Sequence, residues 1–210
     1  MEVHPPHGPV HSVKEFMVHL LAITIGLLIA LGLESSVEWL HHRHMAQDAR
    51  ENIFQEIAAN KKDIARQLTA LPAEQKRMEE ILRWIDDAQK SHSVQPLEDF
   101  NWTSVLLRDS AWNATSSTGA IAFLKYDEVK RYSQLYAVQK LYGSVLERNL
   151  QERHEMNVFI LRIQGGGKLS DAEFESAKNI VQSVKLRLLE FGELDGVLEA
   201  NYARFLPRGD

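Results

Sequence analysis

Residues 16–33 read FMVHLLAITIGLLIALGL, eighteen consecutive positions without an Asp, Glu, Lys or Arg. At a helical rise of about 1.5 Å per residue they span roughly 27 Å, close to the ~30 Å hydrocarbon core of a bilayer. Leu, Ile and Ala lie on every side of such a helix, so it lacks the polar face of a soluble amphipathic one. Continuing to Leu40 adds Glu34, Ser35, Ser36 and Glu38, which suit a headgroup zone, and Trp39, where an interfacial aromatic belongs. The stretch predicts a single transmembrane helix with its interface over 16–40, in a cell (inner) membrane.

Two other readings compete for this segment. A cleaved leader would use the small residues Ala30 and Gly32, but the apolar run exceeds the usual ~7–15 residues and only Lys14 precedes it as a fixed positive charge. The third reading is the buried helix of a soluble core. For orientation, Lys14 stands before the span and Arg43 and Arg50 after it. That balance leans towards a cytoplasmic C-terminal domain. Ala22, Gly26 and Ala30 recur every fourth residue, a small-residue stripe of the kind through which membrane helices pack, here as a homo-oligomer.

Outward from the span, the chain is globular in composition: 44% apolar and 25% charged over 210 residues. A net charge of −5 with no Lys/Arg cluster argues against nucleic acid as a partner, since such binders displace counterions with a basic surface. Cysteine is absent, which removes disulfides, thiolate metal sites and Cys nucleophiles. The sequence divides into a His/Pro tail over 1–15, expected to be disordered, then the span, then a helical domain over 41–210.

In that domain Ile53, Ile57, Ile64 and Leu68 mark one apolar stripe of a helix over about 41–70. Pro72 fits the first turn of a second helix, about 72–90, burying Met78, Ile81, Leu82 and Ile85. Residues 92–101, with Pro96, read as a loop. Trp102, Val105, Leu106 and Leu107 suggest a short helix over 102–114, and 120–124 a helical turn. From Asp127 as N-cap, a long helix to about Gln164 carries Val129, Tyr132, Tyr136, Tyr142, Leu146, Met156, Ile160 and Ile163. Gly165 to Gly167 end it, and Ser170 with Glu173 forms a capping box for a last helix over 170–206. There Phe174, Ala177, Val181, Val184, Leu188, Phe191, Asp195, Leu198, Tyr202 and Phe205 alternate gaps of three and four, the seam of a coiled-coil-like partner. The fold class that follows is all-α: a transmembrane helix continuing into an antiparallel helical bundle.

Chemistry is thinly marked. His4, His7 and His11 sit in the tail, where His-rich segments can hold metal loosely. Glu38, His41 and His44 follow i, i+3, i+6 spacing, with Asp48 a turn further. They are the candidate metal ligands, although bundle sites need matching ligands from other helices, and His154 and Glu155 are the obvious partners. A solvated interfacial cluster is the plainer reading. His19 lies one turn inside the apolar run. GGGKLS at 165–170 fails the phosphate-loop pattern, because Leu169 follows the lysine and no strand precedes. Asn101-Trp102-Thr103 and Asn113-Ala114-Thr115 match glycosylation sequons. Glu79-Glu80 and Asp86-Asp87 read as solvated faces, and the tyrosines from Tyr126 to Tyr142 as core. No catalytic frame and no cofactor box appears.

Ile25-Gly26-Leu27-Leu28-Ile29-Ala30-Leu31, followed by Trp39, resembles a widespread group of uncharacterised bacterial single-pass membrane proteins, which share an N-terminal "IGxLIAL" helix running into a Trp and a charged helix. Trp112, followed by Thr118-Gly119-Ala120-Ile121-Ala122-Phe123-Leu124, is similar to their middle segment. Glu34-Ser35-Ser36 stands where that group tends to carry Asn. The resemblance implies an anchor and a helical domain and supplies no activity. The expectation is a non-enzymatic interaction or scaffold module acting on the bilayer, its own copy or a protein partner. A metal- or proton-responsive protein using the juxtamembrane histidines is the alternative.

Overall fold

The protein is described by a computed structural model over residues 13–91, 95–98 and 100–206. His4, His7, His11 and His92 lie outside the described residues. Among the described residues the chain is all-helical: α1 (Val13–Ser91), α2 (Ser110–Ser117), a 3-10 turn (Ala120–Phe123), α3 (Tyr126–Gln164) and α4 (Asp171–Tyr202). It divides into two compact units, Met1–Asp48 and Ala49–Asp210.

In the first unit α1 already begins at Val13, so 13–15 belong to the helix rather than to the expected tail. Every large apolar side chain from Phe16 to Leu33 is exposed. The few polar side chains turn back onto the helix: Thr24 Oγ1 donates to the Leu20 carbonyl at 2.8 Å and Ser36 Oγ to that of Gly32 at 2.7 Å. Each hydroxyl is thereby satisfied without water.

The second unit is organised by three seams. Along α1 the buried positions are 49, 53, 56, 57, 60, 64, 67, 71, 74, 78, 81, 85 and 88. Along α3 they include Leu135, Gln139, Tyr142, Leu146, Asn149, Arg153, Met156 and Ile163. Along α4 they are Phe174, Ala177, Val181, Val184, Leu188, Phe191, Asp195, Leu198 and Tyr202, the seam read from sequence, with Phe205 packed at its edge. Spacing of three and four keeps each row turned towards its neighbours.

Polar pairs fix the directions. Arg50 meets Glu128 at 2.9 Å and Tyr136 donates to Glu56 at 2.6 Å, so residue numbers rise together along α1 and α3. Along α4 they fall: Lys178 meets Asp86 at 2.7 Å, Lys185 meets Glu79 at 3.0 Å, and Arg162 meets Glu173 at 2.9 Å. Between α1 and α3 the chain returns down α1. Trp84 Nε1 donates to the Gln95 carbonyl at 2.7 Å, and the Arg108 N–H reaches Asn60 at 2.9 Å. Successive legs alternate in direction, but α1 and α3 run parallel and the leg between them is mostly not helix.

Several expected boundaries are corrected. The helices at about 41–70 and 72–90 are one: α1 passes through Pro72 without a break. Proline removes one backbone hydrogen bond, but Pro72 is exposed while Leu71 and Glu74 stay in the seam, so packing on the opposite face carries the helix across. The short helix starts at Ser110, not at 102. The cap of α3 is Lys125, not Asp127; its N–H is taken by Glu128 Oε2 at 3.0 Å. α4 keeps its Ser170–Glu173 box but ends at Tyr202, followed by a turn. Tyr126 is 80% exposed and leaves the tyrosine core set.

Asp195 is the exception within the α4 seam. It is fully buried, and neither Oδ1 nor Oδ2 has a hydrogen-bond partner among the described residues. Burial pushes its pKa from 3.8 up to about 7. Tyr142 and Tyr202, both pushed up first by burial, are the titratable groups that feel its charge. Between 3.8 and about 7 the unfolded chain has lost this proton while the folded one keeps it, so stability falls as pH rises through that window and is flat above it. Asp195→Asn removes the slope and raises stability above the window by on the order of 3–4 kcal/mol. Urea unfolding of both proteins across the window checks this, and parallel pH profiles refute it.

Candidate functional site

Glu38, His41 and His44 do not converge. All three are exposed, and Glu38 approaches His42 instead, at 3.8 Å. The i, i+4 neighbour on a helix lies nearer than the i, i+3, i+6 row expected to share a ligand. Arg43 lies over the Trp39 ring at 5.4 Å. Among the described residues no group of three or more His, Asp or Glu side chains could hold a metal ion. His154 and Glu155 are exposed on α3. His19 Nδ1 lies 3.0 Å from the Glu15 carbonyl of its own helix. Ala22, Gly26 and Ala30 are exposed, with nothing within 4 Å of a Cβ built on Gly26.

The glycine run is an interhelical turn. Gly166 has φ of 72°, which favours glycine, and a Cβ on Gly167 would lie 2.9 Å from the Arg162 carbonyl oxygen. Asn101 and Asn113 are exposed. Of the acidic pairs, Glu79 and Asp86 each meet an α4 lysine, so they fasten α4 rather than only facing solvent.

The arrangement that sequence reading missed is a row of polar residues inside the α1 seam: Glu56, Asn60, Gln67 and Glu74, all buried. From Thr103 to Arg108 the leg passes α1 from Glu74 back to Asn60, roughly 21 Å of helix. Five residue steps supply at most ~18 Å, so the segment is close to fully extended and the Glu74 and Asn60 side chains reach across the rest. A stretched backbone beside a helix finds no free N–H or C=O there, because the helix has used its own. Side chains of α1 supply the partners.

Glu74 accepts the Thr103 N–H at 2.6 Å. Asn60 brackets Arg108, accepting its N–H at 2.9 Å and donating to its carbonyl at 2.8 Å. Glu56 accepts the Ala111 N–H at 2.8 Å and the Ser110 hydroxyl at 2.9 Å with one oxygen, and the Tyr136 hydroxyl with the other. Arg77 donates to the Glu98 carbonyl. From α3, the buried Arg153 lies 4.1 Å over the Trp102 ring and donates to Ser104 at 3.3 Å. Burial lowers its pKa against the opposing pull of Glu74, whose own carboxyl is raised by burial.

Beside this leg, against α3, lies an open groove of about 600 Å³. Leu106, Leu107, Asp109 and Trp112 form one wall and Ser133, Ala137, Lys140, Gly143 and Glu147 the other. Trp112 stacks on Tyr136 at 5.4 Å between ring centres, which ties the groove to the Glu56 anchor.

Glu56→Ala leaves two donors of the leg and the Tyr136 hydroxyl without an acceptor, at a cost of about 2–4 kcal/mol. The expected result is a lower urea midpoint together with faster amide exchange at Ala111. Unchanged exchange there would show that Glu56 does not hold the leg.

Neither a protein-family model, nor a curated protein, nor a solved structure matches this chain.

Proposed function

We propose that the protein is a non-enzymatic, membrane-anchored interaction module. Residues 16–40 span the bilayer as one helix, and the helical unit behind them binds a protein partner or a second copy. The observation that carries this reading is the exposure of the apolar segment. None of the best membrane-spanning window of α1 is buried, and twelve large apolar side chains between Phe16 and Leu33 face out. Transfer of those side chains out of water is worth roughly 20–35 kcal/mol at ~1.5–3 kcal/mol each. A core helix would have had that surface covered by its own chain. Against a leader stand the length of the apolar run and the single fixed positive charge, Lys14, before it.

The resemblance to bacterial single-pass proteins supports the same reading, as does the small-residue stripe of Ala22, Gly26 and Ala30, where two copies of the helix would meet. Small side chains let backbones approach closely, which is the main source of packing between helices in lipid. A cytoplasmic domain follows from Arg43 and Arg50 against Lys14. The domain is a bundle whose legs alternate in direction.

Two measurements test this. Alkaline carbonate extraction should leave the protein in the membrane pellet, and protease added to inside-out vesicles should digest the domain. Crosslinking in membranes should trap a discrete oligomer or a defined partner, and Gly26→Leu should reduce a homo-oligomer several-fold. Release by carbonate, or a strictly monomeric species without a partner, overturns the proposal.

A further inference from the structure

We propose that the groove between the stretched leg and α3 binds an extended peptide of a partner protein, added as a strand along Leu106–Leu107. The inference rests on the interaction-module reading and names the chemistry of the partner. Among the described residues, no hydrogen bond takes up the backbone N–H or C=O of Leu106 or Leu107, the two residues of the stretch that line the groove. The leg is fastened on either side of this pair, at Thr103, Ser104 and the buried Val105 before it and at Arg108 after it. A stretched segment with free donors and acceptors is a one-strand template, and its complement is another extended chain.

The opposite wall suits a backbone. Ser133, Ala137 and Gly143 are small, and a Cβ on Gly143 would meet nothing within 4 Å. A strand can therefore lie close to α3 without displacing a side chain. Leu106 is 79% exposed on the leg and offers the apolar contact that alternate residues of such a strand would cover. The Gln139 side chain lines the groove, is 5% exposed, and has an unpartnered Oε1 that can accept one further hydrogen bond. On the rim, Asp109 and Glu147 stand against Lys140, so a phosphate or other anion gains nothing from the field. The volume of about 600 Å³ falls within the usual ~300–1,000 Å³ of ligand sites.

The test uses the full chain in lipid nanodiscs, panned against a displayed library of random peptides of about eight residues, a strand's usual length. Synthetic copies of the selected peptides should slow amide exchange at Leu106 and Leu107. Methylation of alternate backbone nitrogens in the peptide should weaken binding about tenfold or more, the worth of roughly one net hydrogen bond. Gly143→Leu, which fills the groove and favours helix, should abolish binding, and Leu106→Ser should weaken it, both without change in helix content. Failure to select any peptide, or selected peptides insensitive to both N-methylation and Gly143→Leu, overturns the inference. If crosslinking in membranes still traps an oligomer or a partner, only this inference falls and the anchored module stands.

Discussion

A helix can offer a neighbouring backbone nothing from its own main chain, since every interior N–H and C=O is already used. The leg between α1 and α3 nevertheless lies stretched along α1 for most of the return. The structure resolves this by placing polar side chains where a coiled-coil seam would ordinarily be apolar. Glu56, Asn60 and Glu74 each stand at a seam position and each receives the leg's main chain. Glu74 and Asn60 take up groups five residues apart on the leg, so the helix pins both ends of its most extended stretch. Replacing the row with leucines would keep the pattern and lose the leg.

This explains what could be read beforehand and what could not. The α4 seam was legible because nine of its ten members from Phe174 to Phe205 are apolar and the one exception, Asp195, keeps the spacing. Its capping box was legible because Ser170 and Glu173 are local partners, three residues apart. On α1 the same seam was half hidden, since a search for apolar residues passes over Glu56, Asn60, Gln67 and Glu74 and leaves gaps. α3 behaves likewise at Gln139, Asn149 and Arg153. A period of three and four counted over all residue types with exposed faces excluded would have found both.

The stretch from Trp102 to Leu107 shows a different limit. Its apolar residues satisfy helical spacing, and nothing within it forbids a helix. What draws it out lies far along the chain: Thr103 binds a residue 29 positions earlier and Arg108 one 48 earlier. Tertiary partners outweigh a weak local preference, as they also do at Pro72, where packing on one face carries the helix past a missing hydrogen bond on the other. Glu38, His41 and His44 do not converge for a local reason instead. A helix places Glu38 nearer to His42, and a row of three on one helix still lacks ligands from a second.

α1 thus carries two solvation patterns in one uninterrupted helix. From 16 to 33 apolar side chains surround it, and beyond 49 two positions in each seven face inward while the rest meet water. Short hydroxyl side chains such as Thr24, Ser36 and Thr69 close onto their own helix in both, whereas the longer Glu56 and Asn60 reach across to another segment. A polar side chain with no other segment beside it bonds within its own helix, and a longer one can hold a second chain when one is near. Which of the two a side chain does depends on its length and on whether another segment of the chain lies beside it.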